Sequence, residues 1–270
     1  MVALPTPSWF VGCGNMAGAM VEGWRSGGVD LSGAVAIRPS GEPVEGVRTV
    51  KSMGEAGEPP KLAVLGFKPQ KLDEVAPEFA RLLTEETVVV SILAGVEAAT
   101  LRTRFLRARS IVRAAPNLPV SIRRGVIALY SDDAEDSLRT QLSELAAMLG
   151  YAVWTNSEAT LAAIGSVAGA GPAYAARFIA ALAKAGQRRG LPDSLAATIA
   201  LETVLGTAWL GAASREPMDG IARRVASPNG TTEAGLAVLD PHLDNLIAAT
   251  IDAAARRSAE LAEEAADRSS

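Results

Sequence analysis

The sequence predicts an α/β protein in which a doubly wound, mainly parallel sheet is followed by an all-α domain. Short β-branched runs alternate with helical patterns through about residue 155, and Ala/Leu-rich stretches with helical periodicity follow Glu158. The 270 residues also exceed what a single domain of about 100–200 residues needs. We therefore expect a sheet domain over residues 1–156 and a helical domain over residues 157–270.

The first domain is predicted from eight short runs rich in Val, Ile and aromatic residues. These runs are 9–11, 35–37, 47–50, 62–67, 88–92, 111–112, 126–130 and 152–154. Because they alternate with helical segments, we expect neighbouring strands to be mostly parallel. Ligands of such sheets bind beyond the carboxyl ends of the strands, so the turns after these runs are the candidate site.

The second domain is predicted from helical stretches over residues 173–189, 194–213, 233–239 and from roughly 243 to 266. Several of them carry Ala on nearly every face, which suits close packing against other helices. A subunit interface is therefore expected, and one self-contained Ala-rich bundle is the alternative. His242 is interpreted as a surface residue at the start of the last helix.

Composition argues against several classes of protein. The formal net charge is -4, with Lys and Arg dispersed among Asp and Glu, so neither nucleic acid nor an anionic membrane surface is an expected partner. The chain has one Cys and one His, which argues against a disulfide and against a metal site. The N-terminus lacks signal-peptide features and no apolar run is expected to reach the roughly 18–20 residues of a membrane span, so we expect a cytoplasmic location.

The turn after the first candidate strand has the sequence GCGNMA over residues 12–17 and leads into a helical pattern. In this strand-turn-helix context it is the fingerprint of a dinucleotide-binding domain of the Rossmann type. Gly12 permits the tight turn, Gly14 lets the backbone approach a pyrophosphate, and Asn15 and Met16 begin the helix whose N–H groups bind phosphates. An ordinary glycine turn is the alternative.

The end of the second candidate strand predicts the type of nicotinamide cofactor. A site that prefers NAD has an Asp or Glu here, about 20 residues past the glycines, to bind the ribose 2′-hydroxyl. This chain has Arg38 and Ser40 instead, whose cation and hydroxyl suit a 2′-phosphate. The sequence thus predicts NADPH, with NADH possible. Glu42 lies close by and counts against this interpretation, for which a solvated Arg38 is the alternative.

A second anion site is predicted at residues 227–232, which read SPNGTT. A turn of this composition, opening a helix near Thr231, presents consecutive backbone N–H groups and two hydroxyls at a helix N-terminus. That arrangement suits the carboxylate of a small substrate. An ordinary helix N-cap is the alternative.

Five ordered motifs carry a resemblance that spans nearly the whole chain. They are GFKPQ at 66–70, SILAGV at 91–96, RAAPNLP at 113–119, GAGPAY at 169–174 and SPNGTT at 227–232. In this order and at these spacings the sequence resembles the pyrroline-5-carboxylate reductase family. The resemblance implies NAD(P)H-dependent reduction of a cyclic imino acid to proline, and a helical domain that interlocks in a homodimer, sometimes assembled further.

The resemblance also implies roles for residues in the turns of the sheet domain. Lys68 and Pro69 follow the fourth strand, Ala94 and Gly95 follow the fifth, and all four are expected to flank the cofactor. Asn117, in the Pro-Asn turn after the next strand, is expected to approach the nicotinamide end.

In the helical domain, the resemblance implies that Ser227, Asn229, Gly230 and Thr231 bind the substrate carboxylate and that Thr232 lies near the substrate ring. We expect Thr232 to be the catalytic residue, through a hydrogen bond to the ring nitrogen or through proton relay. A protonated imine is already a strong electrophile, so the reaction depends on alignment of donor and acceptor more than on a strong base.

Three positions depart from the family pattern: Ala170 replaces a common serine, Asn229 a common glycine, and Ala115 a common methionine. They leave reduction of another cyclic imine as an alternative. A 3-hydroxyacid dehydrogenase is disfavoured, because no lysine follows the second-domain glycines before Lys184. A non-catalytic NADP-binding dimer is the alternative outside the enzymes.

Overall fold

The computed structural model describes residues 2–267, and the side chains through residue 260. The chain forms two compact units: the first runs through Ala170 and takes in the chain from Ala254 onward, and the second is Gly171–Ala253. Helix Glu158–Ala168 packs on strands of the first unit. The domain boundary expected between residues 156 and 157 stays a prediction.

One sheet forms the centre of the first unit, and each of its eight strands overlaps one of the eight predicted runs. The strands are β1 (Ser8–Val11), β2 (Ala34–Ile37), β3 (Arg48–Val50), β4 (Leu62–Leu65), β5 (Val88–Ser91), β6 (Ser110–Pro116), β7 (Gly125–Tyr130) and β8 (Gly150–Trp154). Their spatial order is β3-β2-β1-β4-β5-β6-β7-β8, and every neighbouring pair is parallel except β6 and β7. The prediction of a doubly wound, mainly parallel sheet is confirmed, and the first six strands have the order of the dinucleotide-binding fold.

Helices cover both faces of this sheet and bury a separate core on each. They are α1 (Asn15–Ser26), α2 (Leu72–Leu82), α3 (Ala98–Arg104), α4 (Asp136–Ala147) and α5 (Glu158–Ala168). Successive strand residues point to opposite faces, so Trp9 belongs to one core and Phe10 to the other. In the first of these cores, the rings of Phe79 and Phe105 pack edge to face at 5.3 Å. These cores fix the strands and hence the turns at their carboxyl ends.

The second unit is made of helices: α6 (Gly171–Arg188), α7 (Asp193–Ser214), α8 (Met218–Val225) and the larger part of α9 (Thr231–Asp267). Helices α6 and α7 were predicted within two residues at each end, and α8 was not predicted. The prediction of separate helices over 233–239 and 243–266 was wrong, because α9 continues through Pro241. Proline removes one N–H from the helix ladder at a cost of about 3 kcal/mol, which long runs of helix-forming residues on both sides outweigh here. His242 consequently lies inside α9.

Very little of the second unit is buried. Between residues 171 and 253, the buried side chains are Ala183, Ala196, Ala200 and Ile221. Helix α7 is also long and apolar enough to cross a membrane by length and composition alone, with a mean hydropathy of 1.4. The apolar surface of this unit therefore requires a partner that the single chain does not supply.

Candidate cofactor and substrate sites

Gly12 makes the tight turn that follows β1, and packing leaves no room there for a side chain. Its φ of +78° lies in the left-handed region. A Cβ atom built on it would lie 2.7 Å from both the backbone N and the Cβ of Phe67, in the turn after β4. The predicted role of Gly12 in the tight turn thus has two physical causes, the backbone conformation and the close approach of Phe67.

The N-terminus of α1 is open to an approaching anion. Gly14 caps the helix without a side chain, and the first intrahelical bond runs from Gly18 N to Gly14 O at 2.8 Å. The N–H groups of Asn15 and Met16 precede that bond, so they have no acceptor within the helix. A Cβ on Gly14 would meet only the Gly66 carbonyl oxygen, at 3.9 Å. These residues fit a pyrophosphate, which needs an uncapped helix start and close access to the backbone.

A cavity of about 440 Å³ lies beside this helix start. Its lining brings together three of the predicted cofactor residues, Gly14, Asn15 and Arg38, although they come from two different turns. Gly12, Met16 and Ser40 are not part of the lining. The sheet thus joins the predicted pyrophosphate site and the predicted 2′-phosphate site in one surface depression.

Cys13 lines the same cavity but is almost completely buried. Burial raises the pKa of its thiol, and the nearby Arg38 guanidinium lowers this pKa by a smaller amount. The resulting pKa is about 11. The group therefore stays protonated at neutral pH, in keeping with a small turn residue and unlike a nucleophile.

Arg38 and Ser40 both contact Glu42 at the end of β2. The Arg38 guanidinium donates to the Glu42 carboxylate, with Nη2 2.6 Å from Oε2, and to the Glu42 backbone oxygen at 3.1 Å. The Ser40 hydroxyl accepts from the Glu42 backbone N–H at 3.3 Å. The two predicted ligands of a 2′-phosphate are therefore adjacent, and each is already engaged by one acidic residue.

The predicted residues after β4 and β5 lie in turns at the carboxyl edge of the sheet. Lys68 precedes a short 3-10 turn, Pro69–Lys71, with Pro69 as its first residue, and Lys71 N donates to Lys68 O at 2.9 Å. Ala94 and Gly95 form the turn after β5, where Gly95 has a φ of +76°. Both turns occupy the edge at which parallel sheets bind ligands.

Gly66 is a site residue that sequence reasoning did not single out. A Cβ on it would lie 2.6 Å from the Gly12 carbonyl oxygen and 2.8 Å from the Ala17 Cβ. Gly66 therefore lets the turns after β1 and β4 come together beneath the helix start. The available signal was a glycine inside the candidate strand 62–67, since a glycine in a strand often marks a close backbone approach.

The side chain of Asn117 is buried and bonded to protein groups at both ends. Its Oδ1 accepts from Val126 N at 2.8 Å, and its Nδ2 donates to the Ala168 carbonyl oxygen at 3.0 Å. The residue thus joins the end of β6 to β7 and to the last residue of α5. The expected place of Asn117 near the nicotinamide stays a prediction. The observed hydrogen bonds show that its side chain connects β7 to the end of α5.

A partly buried ion pair holds the other end of α5. Arg113 on β6 and Glu158 in the first turn of α5 lie 2.9 Å apart, and the same Glu158 oxygen accepts from Ala98 N at 2.8 Å. That N–H begins α3, which follows the Gly95 turn. Sequence reasoning missed this cluster, because its members are far apart in the chain and none belongs to a recognisable motif.

Residues 227–230 form a turn that leads directly into α9. Gly230 N donates to Ser227 O at 2.9 Å, and Asn229, at the third position, has a φ of +58°. Proline at the second position and positive φ at the third are the signature of a type II turn. Asn229 therefore replaces the common glycine without loss of the turn.

Glu233 uses one of the N–H groups at the start of α9. Its carboxylate accepts from Asn229 N at 2.6 Å, in a pattern similar to a capping box. Thr231 and Thr232, which precede Glu233, begin the helix, with Thr231 exposed and Thr232 half-buried. The segment is a helix N-terminus with two hydroxyls, as predicted, but it already contains one carboxylate.

The remaining departures from the family pattern lie in different settings. Ala115 is half-buried on β6, opposite Ala128. Ala170 lies between α5 and α6, two residues after the carbonyl that Asn117 holds. Both sites carry a methyl group where the family commonly has a larger or more polar side chain.

Comparisons of the sequence and of the fold with known proteins both find similarity to pyrroline-5-carboxylate reductases. Residues 158–261 match the family model for pyrroline-5-carboxylate reductase dimerisation. The chain is 35% identical over 263 residues to the pyrroline-5-carboxylate reductase of Pseudomonas aeruginosa, with 94% of this chain and 96% of that protein covered.

Two solved structures are similar over almost their whole length. A pyrroline-5-carboxylate reductase from Coxiella burnetii has a TM-score of 0.85 at 28% identity, covering 96% of this chain and 99% of that one. The Plasmodium falciparum pyrroline carboxylate reductase, solved with NADP bound, has a TM-score of 0.86 at 21% identity, covering 95% and 98%. At 21% identity, the similarity to the Plasmodium falciparum protein shows a shared fold.

Proposed function

Since this chain belongs to the pyrroline-5-carboxylate reductase family, we infer that it reduces 1-pyrroline-5-carboxylate to L-proline with NADPH or NADH. The observation that carries this function is that the family similarity runs through both units. A dinucleotide site alone would fit many oxidoreductases, whereas the helical unit matches a module specific to this family.

The reaction needs only modest help from side chains. When bound, the nicotinamide would supply the hydride for the carbon of the protonated C=N bond, whose nitrogen would keep its proton. The chain's task is to hold both partners at near-contact distance and to bind the substrate carboxylate. The proposed reaction is therefore compatible with a chain that has one Cys, which is buried, and one His.

We assign the cofactor side to the turns at the carboxyl edge of the sheet. Gly12 and Gly14 admit the pyrophosphate, Asn15 and Met16 offer N–H groups, and Arg38 with Ser40 faces the adenosine end. Two features support this: the open helix start and the cavity that joins Gly14, Asn15 and Arg38. Further along the edge, the assignment includes Lys68, Pro69, Ala94, Gly95 and Asn117.

The contacts at residues 227–233 narrow the proposed carboxylate site. Gly230 N is bonded to Ser227 O and Asn229 N to Glu233, so neither N–H is the obvious anion donor. We therefore assign the substrate carboxylate to the N–H groups and hydroxyls of Thr231 and Thr232, at the positive end of α9. Ser227, Asn229 and Gly230 support the site by shaping the turn.

Substitution of Thr232 tests this assignment. We expect Thr232→Ala to lower kcat about 10- to 100-fold, because the hydroxyl that contacts the ring nitrogen, or relays to it the proton that forms the iminium, is lost. Thr232→Ser should retain most of the activity. Thr250→Ala removes a hydroxyl from the same helix, where it only bonds Leu246 O, and should leave kcat unchanged. An unchanged kcat for Thr232→Ala would remove Thr232 from the catalytic residues.

The substrate is tested by NADPH oxidation, followed at its near-UV absorbance. Pyrroline-5-carboxylate, its six-membered analogue and its decarboxylated analogue serve as parallel substrates. Fast turnover limited to the five-membered carboxylate supports the proline-forming reaction and the carboxylate role of Thr231. Turnover of the analogues alone would favour another cyclic imine, for which Ala115 and Ala170 leave additional room.

The helical unit makes the protein a homodimer or higher homo-oligomer, since residues 158–261 match the family's dimerisation module. Helix α7 lies inside that module, so its apolar length belongs to subunit contact and not to a membrane span. A cytoplasmic location is part of this proposal.

A further inference from the structure

Glu42 contacts both residues that were assigned to a 2′-phosphate, and no part of the family motifs requires it. Its carboxylate and backbone oxygen accept from Arg38, and its backbone N–H donates to Ser40. We infer that Glu42 is a specificity-determining residue, whose carboxylate competes with the cofactor 2′-phosphate for Arg38 and so keeps NADH usable beside NADPH. The inference rests on the proposed dinucleotide site.

The backbone brings this pair together, so the contact is built into the turn. Arg38 N donates to Val50 O at 2.8 Å, which extends the β2–β3 ladder by one residue. Gly41 N then donates to Arg38 O at 2.9 Å, and Gly41 has a φ of +70°. This reversal returns the chain so that Glu42 comes back to the guanidinium four residues earlier. Arg38 is consequently held in place before a cofactor arrives.

The charges around the cavity explain why Glu42 affects the binding of a 2′-phosphate. Among the residues that line it, Arg38 is the only cation and Glu22 the only carboxylate. Pairing with Glu42 neutralises the guanidinium, so a 2′-phosphate has to share it with a carboxylate 2.6 Å away. The ribose hydroxyl of NADH carries no charge and meets no such competition. The acidic residue thus weakens one cofactor selectively.

Arg38 also remains able to bind a phosphate. Its side chain is 23% exposed, whereas that of Glu42 is 71% exposed, so the carboxylate can rotate into solvent. A guanidinium has five N–H donors, and Glu42 uses two of them. Glu42 therefore reduces the affinity for the 2′-phosphate without excluding it, which is the balance expected of an enzyme that accepts both cofactors.

The test measures binding of two fragments by isothermal titration calorimetry: adenosine 2′,5′-bisphosphate and adenosine 5′-monophosphate. Glu42→Gln keeps the side-chain shape and removes the charge. We expect it to raise the affinity for the bisphosphate about 3- to 10-fold, as for loss of one partly exposed competing charge, and to change that for the monophosphate less than about twofold. The ratio of kcat/KM for NADPH to that for NADH should rise by the same factor.

Glu45→Gln is the matched control, because Glu45 is similarly exposed, lies three residues away and pairs with Arg25 at 2.9 Å. It should leave the bisphosphate affinity unchanged. Arg38→Met should weaken the bisphosphate, and in that background Glu42→Gln should have no further effect, since Glu42 acts through the guanidinium.

Three outcomes would overturn the inference. A bisphosphate affinity that is unchanged or lower in Glu42→Gln would mean that Glu42 orients Arg38 and does not compete. An equal gain in Glu45→Gln would mean that general charge is responsible. Failure of the unmodified protein to bind either fragment would overturn the dinucleotide site as well, whereas fragment binding with a failed imine assay would leave the role of Glu42 supported and remove only the proposed reaction.

Discussion

The two compact units differ sharply in how much of their own apolar surface they bury. The first unit has two cores with fully buried large side chains, among them Trp9, Phe79 and Phe105. Between residues 171 and 253 four side chains are buried, and three of them are alanines. The first unit is therefore stabilised by its own buried cores, whereas the second depends on contact with another copy of the chain.

The exposed surface of the second unit supports this contrast. Large apolar side chains on α6, α7 and α9 are 40–73% exposed in the single chain; among them are Phe178, Leu182, Leu195, Ile199, Leu205, Val238, Leu239 and Leu246. A lone helical bundle would bury such residues. Their exposure here indicates that the dimer completes the core, and we expect folding of this unit to be coupled to assembly.

A charge placed on α7 tests whether the second unit depends on a partner, and it should weaken the dimer strongly. Leu205 is 46% exposed in the single chain, so a free surface would tolerate Leu205→Glu. In a symmetric interface the carboxylate is buried twice, and we expect roughly 5 kcal/mol per dimer, or three to four orders of magnitude in the dimer dissociation constant. Sedimentation over a range of concentrations measures the change.

Leu106→Glu is the control for that experiment, because Leu106 is 77% exposed in the first unit. It should leave both the dimer and the melting temperature nearly unchanged. A stable Leu205→Glu dimer would contradict the view that α7 lies in the interface.

Gly12→Ala tests the packing of the first unit at the turn after β1, where Gly12 lies against Phe67. The added Cβ would meet Phe67 at 2.7 Å, at a positive φ that alanine disfavours. We expect about 2–5 kcal/mol lower unfolding free energy of the first unit, and weaker NADPH binding, because the turn must open. Chemical denaturation and NADPH titration measure the two effects.

Gly54→Ala is the matched substitution, since a Cβ there meets nothing within 4 Å. It should change neither stability nor cofactor binding. Equal behaviour of the two variants would show that the turn after β1 is looser than its contacts indicate.

A smaller effect on stability is expected from the ionisation of Cys13. Burial raises the pKa of this thiol from 9.0 to about 11. The folded state therefore binds its proton more tightly than the unfolded state, so stability is constant below about pH 9 and falls as the pH rises towards 11. We expect a loss of about 2–3 kcal/mol over this range, absent in Cys13→Ala. Unfolding curves at pH 8, 9.5 and 10.5 would show it, and identical alkaline slopes for both proteins would contradict it.

Sequence reasoning succeeded where local patterns decide the structure. All eight strands were predicted, because each is a β-branched run bounded by turn residues. It was wrong at Pro241, where Asp-Pro was interpreted as a helix start although the helix formers around it continue α9. Propensity over a long segment outweighed one unfavourable residue.

The candidate site was predictable in its backbone and less so in its side chains. Gly12, Gly14 and the turn at 227–230 follow from conformations that few residues adopt, and these are visible in the sequence. The contacts of Asn117 with Ala168 and of Glu158 with Arg113 join positions 51 and 45 residues apart. No local pattern encodes such pairs, because they arise only once the sheet has formed.

Helix α5 is fixed to β6 at both of its ends, through Glu158 in its first turn and Ala168 at its last residue. In mechanical terms it is a beam clamped at two points, which transmits a displacement along its length and bends little itself. The position of Ala168 is therefore coupled to Asn117, directly after β6, through the 3.0 Å hydrogen bond between them.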